Sequence, residues 1–419
     1  MLSAVKGMND ILPDRSPLWR QVEATARRVF ALYGFEELRT PVLERTEVFC
    51  RMGADTDVVE KQMYTFEDKS GTSVTLRPEA TASVMRAVIE AGLLGREPIQ
   101  KLYSIGPMFR YERPQKGRYR QFHQINVERL GEDGPFSDAE TLAMAYHFAC
   151  ELGLAGVKLE VNSLGCPECR GAYKQALQAI FEGKADELCE DCQRRRHTNP
   201  LRVLDCKVES CKAAVQGVPV IEDYLCDDCR IHYAATLAGL DQLGVVYEKN
   251  PMLVRGLDYY TRTTFEMTAS SGLGSQNAIA GGGRYDGLVS QLGGPETPGI
   301  GFAFGFERLI MLLEEGYSYQ PAGCFVVCQE AVRAAATQLI GELRQSGVRV
   351  EAVPDKGFKA QMKRAGKSGY SYCLILGENE VEAGTVMLKD LESGEQESVA
   401  RTAIAARLND LLAPAKEKI

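Results

Sequence analysis

The chain has 419 residues, 45% of them apolar and 25% charged, with a formal net charge of −8. That composition is ordinary for a soluble globular protein of two or three domains, and it excludes disorder, collagen and coiled coil as global descriptions. No stretch approaches the roughly 18–20 apolar residues that span a bilayer, and the start MLSAVKGMNDILPD lacks the apolar core of a secretory signal, so a cytoplasmic protein is expected. An evenly spread acidic charge would argue against a nucleic-acid partner, and 13 cysteines are many for a reducing compartment.

Ser16-Pro17 predicts a helix N-cap followed by proline at the first helical position. Leu18, Val22, Val29 and Tyr33 then recur at helical spacing up to Gly34, a natural stop. Phe35 to Glu44 is extended and broken by Pro41, as at a sheet edge. A helix is expected over Ala80–Ala91, and strands over 100–110 and 119–130, joined by a polar turn rich in Arg, Lys, Gly and Pro. Residues 166–232 hold eight of the 13 cysteines and interrupt two strand-like regions, 156–163 and 244–268. Segments 252–268, 275–282 and 299–304 read as strands. After Gly316, strand-like Cys324–Cys328, helical Ala331–Gln345, strand-like Val348–Val353, a helical stretch to Ala365, strand Tyr372–Leu376 and a closing helix Ala400–Leu412 predict a small α/β unit with a largely parallel sheet.

The chemistry concentrates in Phe109-Arg-Tyr-Glu112 and Arg118-Tyr-Arg-Gln-Phe122-His-Gln124-Ile-Asn-Val-Glu128. On a strand, Phe122, Gln124, Asn126 and Glu128 share one face, and Ile125 and Val127 point into the core. A face bearing an aromatic ring, two amides and a carboxylate is costly unless it meets a ligand or water. At about 3.3 Å per residue the row is roughly 20 Å long, enough for a nucleotide plus an amino acid. The turn 110–120 holds five Arg/Lys and one Glu, a local charge of +4, which could also be a solvated hairpin tip.

This FRxE…RxxxF pattern resembles motif 2 of the class II aminoacyl-tRNA synthetases. Gly34-Phe-Glu-Glu-Leu-Arg-Thr-Pro41-Val-Leu-Glu44 is similar to their motif 1, whose strand and proline lie at a dimer interface, and Gly299-Ile-Gly301-Phe-Ala-Phe-Gly305-Phe-Glu307-Arg308 to their glycine-rich motif 3. The three occur in the right order over about 275 residues. Leu253-Val-Arg255-Gly-Leu-Asp258-Tyr259-Tyr260-Thr-Arg262-Thr-Thr-Phe265-Glu266 and Ala280-Gly281-Gly282-Gly283-Arg284-Tyr285-Asp286 resemble the two histidine-specific motifs of the histidyl-tRNA synthetases, and Thr75-Leu-Arg77-Pro78-Glu79-Ala80-Thr81 also matches, with Ala80 where glycine is common. The resemblance covers nearly the whole chain.

It implies an α+β fold, an antiparallel sheet flanked by helices, in 1–165 and 233–321, with a cysteine-rich insertion at 166–232 and a C-terminal α/β anticodon-binding domain at 322–419. It implies ligation of L-histidine to tRNA(His) with ATP and Mg²⁺, through histidyl-adenylate, by a homodimer. Phosphoryl chemistry of this kind needs positioning and positive charge on phosphate oxygens. Arg110 is then the α-phosphate clamp, Arg118 reaches the β/γ-phosphates, and Arg308 and Phe122 sandwich the adenine. Arg255, in a largely apolar run, either makes a structural salt bridge to Asp258 or a glutamate or bridges the histidine carboxylate and the α-phosphate in the transition state. Glu128 and Tyr260 bracket the imidazole with Tyr259 beside them, and Glu79, Thr81 and Gln124 accept from the ammonium. A relative that only senses histidine and regulates ATP phosphoribosyltransferase usually lacks the tail and loses residues like those at 255–260. A sensor of uncharged tRNA would normally carry a kinase domain, and no such domain is read here.

Cys166/Cys169, Cys189/Cys192 and Cys226/Cys229 are CxxC pairs, and Cys206 and Cys211 form a looser fourth pair. Eight thiols suffice for two tetrahedral Zn²⁺ sites, with an iron–sulfur cluster or unligated buried thiols as alternatives. CxxC redox motifs sit at a helix start after a strand. His197 or His232 could replace one ligand, and the pairing is open. The synthetase family carries an insert here that helps clamp tRNA, but many members lack these cysteines, so the metal expectation rests on spacing. In the tail, 13 basic and 13 acidic residues cancel, so the −8 lies in 1–321. Lys356, Lys359, Lys363, Arg364 and Lys367 fall within twelve residues containing no acid, mostly on one helical face. With Arg113 and Gln115 of the basic turn, Lys356, Lys359 and Lys363 are the expected tRNA contacts.

Overall fold

The computed structural model describes residues 2–51, 61–255, 259–274 and 277–412, and the chain divides into two compact units, Met1–Tyr317 and Ser318–Ile419. The strands of the first unit are β1 (Glu36–Glu37), β2 (Leu43–Arg45), β3 (Tyr64–Glu67), β4 (Ser73–Leu76), β5 (Gln100–Phe109), β6 (Gln121–Leu130), β7 (Val157–Ser163), β8 (Glu248–Lys249), β9 (Thr261–Ala269), β10 (Ala278–Arg284) and β11 (Gly299–Gly305). Eight of them form one sheet in the order β1-β5-β6-β11-β10-β9-β7-β8, and β2-β4-β3 form a small second sheet. The large sheet is antiparallel except where its edge strands β1 and β8 run parallel to β5 and β7.

Alternation on the central strands decides which face is packed. Ile125 and Val127 on β6 and Phe302 and Phe304 on β11 lie in one apolar cluster with Val22, Val29 and Phe30 of the helix Ser16–Leu32 and Leu142 and Phe148 of the helix Pro135–Glu151. Burying each such side chain contributes about 1.5–3 kcal/mol, so two helices are fixed on this face and the other is left for a ligand. The insert adds helices Pro167–Glu182, Glu190–Thr198, Glu209–Ala214 and Asp227–Gln242, whose Tyr173, Leu177 and Leu237 belong to the same continuous core. Residue 232 lies inside the last of these helices.

Several local expectations differ from the structure. Ser16 is the first helical residue rather than the cap, because the N–H groups of Arg15 and Ser16 both already donate to the Leu12 carbonyl at 2.9 Å. The strand expected over 252–268 begins only at Thr261. Before it, the carbonyls of Pro251 and Leu253 accept from Asn162 Nδ2, at 3.2 and 3.0 Å, a side-chain contact where the strand was expected to begin. Residues 256–258, with the Asp258 of the sequence pattern, and 275–276 lie outside the described residues.

In the second unit the sheet runs β13-β12-β14-β15-β16, with β12 (Cys324–Cys328), β13 (Val350–Ala352), β14 (Tyr372–Leu376), β15 (Thr385–Asp390) and β16 (Gln396–Ala400). β13, β12 and β14 are parallel, but β15 and β16 add an antiparallel hairpin, so the sheet is mixed rather than largely parallel. Asp390 makes that turn by accepting the N–H groups of Glu392 and Ser393 at 2.8 and 2.9 Å. The closing helix therefore starts at Ile404, after Ala400 has ended β16.

Candidate functional site

The open face of the large sheet bounds a cavity of about 430 Å³, within the range of small-molecule sites. Phe122, Gln124, Asn126 and Glu128 line it in a row, with Glu79, Thr81, Arg110, Arg118, Tyr259, Tyr260, Arg255 and Arg308 around them. The floor is made of small residues for a steric reason. A Cβ at Gly281 would run into the Arg255 guanidinium, and one at Gly301 into the Glu128 carboxylate.

Register fixes positions along the cavity. Glu128 pairs across to Gly301, and Asn126 pairs to Ala303, which faces Gly281 on β10. Arg255, packed on Gly281, therefore lies at the level of Asn126, between Glu128 and the Phe122 end. At the Phe122 end the Arg110 guanidinium stands 5.2 Å from the ring centroid, and Arg110 Nε donates to the Pro78 carbonyl at 2.9 Å. Arg118 pairs with Glu112 at 2.6 Å. Arg308, in the first turn of the helix Phe306–Leu313, donates to the carbonyls of Gly117, at 3.1 Å, and Ala278, which ties the basic turn to β10. Burial, followed by the like charge of Arg118, pulls Arg308 below its ordinary value, so this end gathers three guanidinium groups.

The opposite end is an acceptor cluster. Thr81 Oγ1 and the Tyr285 hydroxyl donate to the two oxygens of Glu128, the former at 2.6 Å. Burial pushes the Glu128 carboxyl up to about 8, against the two hydrogen bonds and with the Glu79 charge adding. Glu79 accepts the backbone N–H groups of Thr81 and Ala82 at 2.9 and 2.8 Å and so caps the helix Thr81–Glu90, and burial raises its pKa too. Having given its proton to Glu128, the Thr81 hydroxyl can only accept from a ligand. The rings of Tyr259 and Tyr260 lie 4.7 Å apart, and burial holds both phenols above their usual range, as donors. Gln124 Oε1 and Asn126 Nδ2 are buried with no partner among the described residues, which marks them for polar groups of a ligand.

Arg255 pairs with Glu266 and retains a buried, unpartnered Nε. The glutamate salt bridge foreseen as its structural alternative is thus present, at the cavity wall. Two lining residues, Arg202 and Asp205, come from the insert and carried no signal in the sequence. Tyr285, inside a recognisable glycine-rich segment, was given no role there, yet it holds Glu128. Arg113 and Gln115 are exposed on the turn, outside the cavity.

The insert cysteines are grouped by the fold. Cys166, Cys169, Cys226 and Cys229 form one set and Cys189, Cys192, Cys206 and Cys211 another, with the ligand atoms of each set within 4.8 Å of one another. Neither His197 nor His232 belongs to a set, and His232 hydrogen-bonds Asp138 at 2.8 Å instead. Cys166–Cys169 does begin a helix directly after β7, so position alone does not separate it from a redox pair; the gathering of four thiols is the arrangement that could hold a metal ion.

In the second unit the helix Phe358–Ala365 is oriented by buried Gln361, whose side chain accepts from Cys328 N–H at 2.9 Å and donates to its carbonyl at 3.0 Å. Lys356, Lys359 and Lys363 are left exposed, and Arg364 reaches Glu351 at 3.4 Å. No helix among the described residues is long and apolar enough to cross a membrane.

Residues 7–309 match the family model described as histidyl-tRNA synthetase, and residues 321–411 match an anticodon binding domain. A protein of Nitratidesulfovibrio vulgaris (strain DP4) named histidine–tRNA ligase is 53% identical over 411 residues, 97% of this chain and 98% of its own. One of Syntrophotalea carbinolica with the same name is 52% identical over the same shares. The crystal structure of apo histidyl-tRNA synthetase from S. aureus superposes with a TM-score of 0.80 at 37% identity, over 97% of this chain and 100% of that one. The chain belongs to the histidyl-tRNA synthetase family.

Proposed function

We propose that this member of the histidyl-tRNA synthetase family is itself a histidine–tRNA ligase. The observation that carries the reading is the polarity of the cavity along β6. Buried acceptors, Glu128, Glu79 and Thr81, stand at one end, guanidinium groups, Arg110, Arg118 and Arg308, at the other, and Arg255 between them. An amino acid whose ammonium and imidazole N–H need acceptors fits the first end, and a triphosphate fits the second.

In this reading Glu128 and Tyr260 bracket the imidazole beside Tyr259, while Glu79, Thr81 and Gln124 receive the ammonium. The histidine carboxylate oxygen attacks the α-phosphorus, the bond to the β-phosphate oxygen breaks, and pyrophosphate leaves. Arg110 and Arg255 hold the α-phosphate oxygens through this step, Arg118 steadies the departing pyrophosphate, and Arg308 and Phe122 enclose the adenine. Positioned charge of this kind is the main source of rate in phosphoryl transfer. The terminal ribose hydroxyl of tRNA(His) then attacks the carbonyl, and AMP leaves. Mg²⁺ would accompany the ATP substrate and offset phosphate charge, and Glu112, one of the cavity carboxylates and beside Arg118, could join its ligands. We assign catalysis to 1–165 with 233–321, an accessory role to the insert 166–232, and anticodon recognition to 322–419. We also propose a homodimer built on the motif-1-like segment, whose β1 is an edge strand, and Zn²⁺ as the metal of the insert.

The test is ATP–pyrophosphate exchange with L-histidine, followed by charging of tRNA(His). Histidine-dependent exchange and charging are expected. Histidine binding without exchange would instead make the protein a histidine sensor. For the tail, replacing Lys359 and Lys363 together by alanine is expected to weaken tRNA binding and reduce the slope of log affinity against log salt by between one and two units, at roughly 0.7–0.9 per lost phosphate contact. Histidine-dependent exchange should stay unchanged. An unchanged salt slope would reduce these lysines to a solvated helix face.

A further inference from the structure

The insert, with the two residues that lead into it, meets the candidate histidine pocket at three points. Arg170, one residue beyond Cys169, donates from Nη1 to the Tyr260 carbonyl at 2.5 Å. Arg202, between Cys192 and Cys206, donates to the Arg255 carbonyl at 3.0 Å. Just before Cys166, Leu164 N–H donates to the Arg262 carbonyl at 2.6 Å, and Arg262 N–H donates to the Gly165 carbonyl at 2.9 Å. Arg262 is the only non-glycine among the described residues with positive φ, +48°, a conformation that persists only when its surroundings hold it. The backbones of Tyr260 and Arg255 are therefore held from the insert, and that of Arg262 from the residues leading into it, so the insert has to be held in turn.

The thiol sets do that. Cys166 and Cys169 open the helix Pro167–Glu182, Cys226 and Cys229 open the helix Asp227–Gln242, and Cys226 N–H donates to Cys169 Sγ at 3.1 Å. This first set joins the two ends of the insert. The second set closes the segment that carries Arg202, with Cys189 N–H donating to Cys211 Sγ at 3.2 Å. Sγ separations of 3.4 Å for Cys166–Cys169 and 3.9 Å for Cys189–Cys206 bracket the roughly 3.8 Å between sulfurs that share a tetrahedral ion at about 2.3 Å.

We propose that the insert holds two independent tetrathiolate zinc sites, Cys166/Cys169/Cys226/Cys229 and Cys189/Cys192/Cys206/Cys211, and that they act as clasps which position Tyr260 and Arg255, through Arg170 and Arg202, at the histidine pocket. The positioning half rests on the function proposed above, and the metal half does not. In the first set two helix N-termini each supply one CxxC pair, so neither pair alone completes a four-coordinate site, and a metal that folds its own ligand loop stabilises whatever that loop touches.

The test counts zinc in the full chain purified under reducing conditions. Two ions per chain are expected in the wild type. Serine at Cys166, Cys169, Cys226 and Cys229 together should leave one, whereas serine at Cys166, Cys169, Cys189 and Cys192 together should leave none. The reverse pattern overturns the pairing. Fewer than about one zinc in the wild type, or iron with visible absorption in its place, overturns the sites. Cobalt substitution gives a second count through thiolate-to-metal absorption, which does not depend on activity. For positioning, Arg170→Met is expected to retain two zinc ions and its ATP affinity while weakening equilibrium histidine binding roughly tenfold, the scale of a lost hydrogen bond from a charged donor. Unchanged histidine affinity with two ions bound overturns the clasp. Failure of the wild type to bind histidine at all would fault the function instead, with the metal counts still standing.

Discussion

Arg255→Gln is expected to lower histidine-dependent ATP–pyrophosphate exchange by roughly 10²–10³-fold, the loss measured when one preorganised electrostatic group is removed from a transition state, while the histidine dissociation constant changes by less than about threefold. The reason is the position of Arg255. It packs on Gly281 at the level of Asn126, between the acceptor cluster and the three guanidinium groups, where charge develops as the carboxylate meets the α-phosphate. Its ion pair with Glu266 offers a competing account, in which Arg255 merely braces the cavity wall. Glu266→Gln separates the two: a bracing role predicts similar losses for both variants, and a transition-state role predicts that Arg255→Gln is far worse. Thermal melts of both variants guard against simple unfolding. Exchange within a factor of about three of wild type in Arg255→Gln would end the transition-state assignment.

The second large effect concerns Glu128. Its carboxyl, held near 8 by burial, is mostly neutral at pH 7 before histidine arrives, and in that form it cannot serve as a full acceptor for an imidazole N–H. The kcat/KM for histidine is therefore expected to rise with pH through about 8, above the range where free imidazole itself titrates near 6.5, and Glu128→Gln should flatten that rise. The same variant should lose roughly 10- to 100-fold in histidine affinity, the value of a charge-assisted hydrogen bond, with ATP affinity little changed. Stability should move the other way. Because the folded-state pKa lies above the unfolded value, the Glu128 contribution is fully present below about 4.5 and is lost as pH rises through about 8. The melting temperature of Glu128→Gln relative to wild type should thus increase between pH 5 and pH 8.5. A histidine profile that is flat in the wild type, or equal losses of histidine and ATP affinity in the variant, would make Glu128 a structural residue.

Legibility in the sequence followed the range of the interactions concerned. Alternation on 121–128 predicted both the packed Ile125 and Val127 and the ligand-facing row, because a strand's period of two is a local property. The glycine-rich segments around Gly281 and Gly301 were readable as close-approach positions, but what approaches them, Arg255 and Glu128, is 26 and 173 residues away in the chain. The hairpin of β15 and β16 was missed because it depends on an Asp390 turn joining two strands, of which β16 is exposed along most of its length. The strand expected over 252–268 begins only at Thr261 because the apolar residues before it, such as buried Leu253, serve packing, and the backbone there is held by the Asn162 side chain.

By itself the sequence determined the family, through motifs whose residue types and spacing are set by phosphate and adenine chemistry, and it marked eight cysteines as an unusual feature of one insert. Only the tertiary structure decided which thiols meet, that Arg202 and Asp205 of the insert reach the cavity, and that Tyr285 and Thr81 hold Glu128. The physical reason is the same in each case. Spacing along a chain constrains partners within a turn of helix or a strand pair, but groups further apart, from the 14 residues between Cys192 and Cys206 to the 157 between Glu128 and Tyr285, are brought together by burying a common core, and that choice is made by the whole fold.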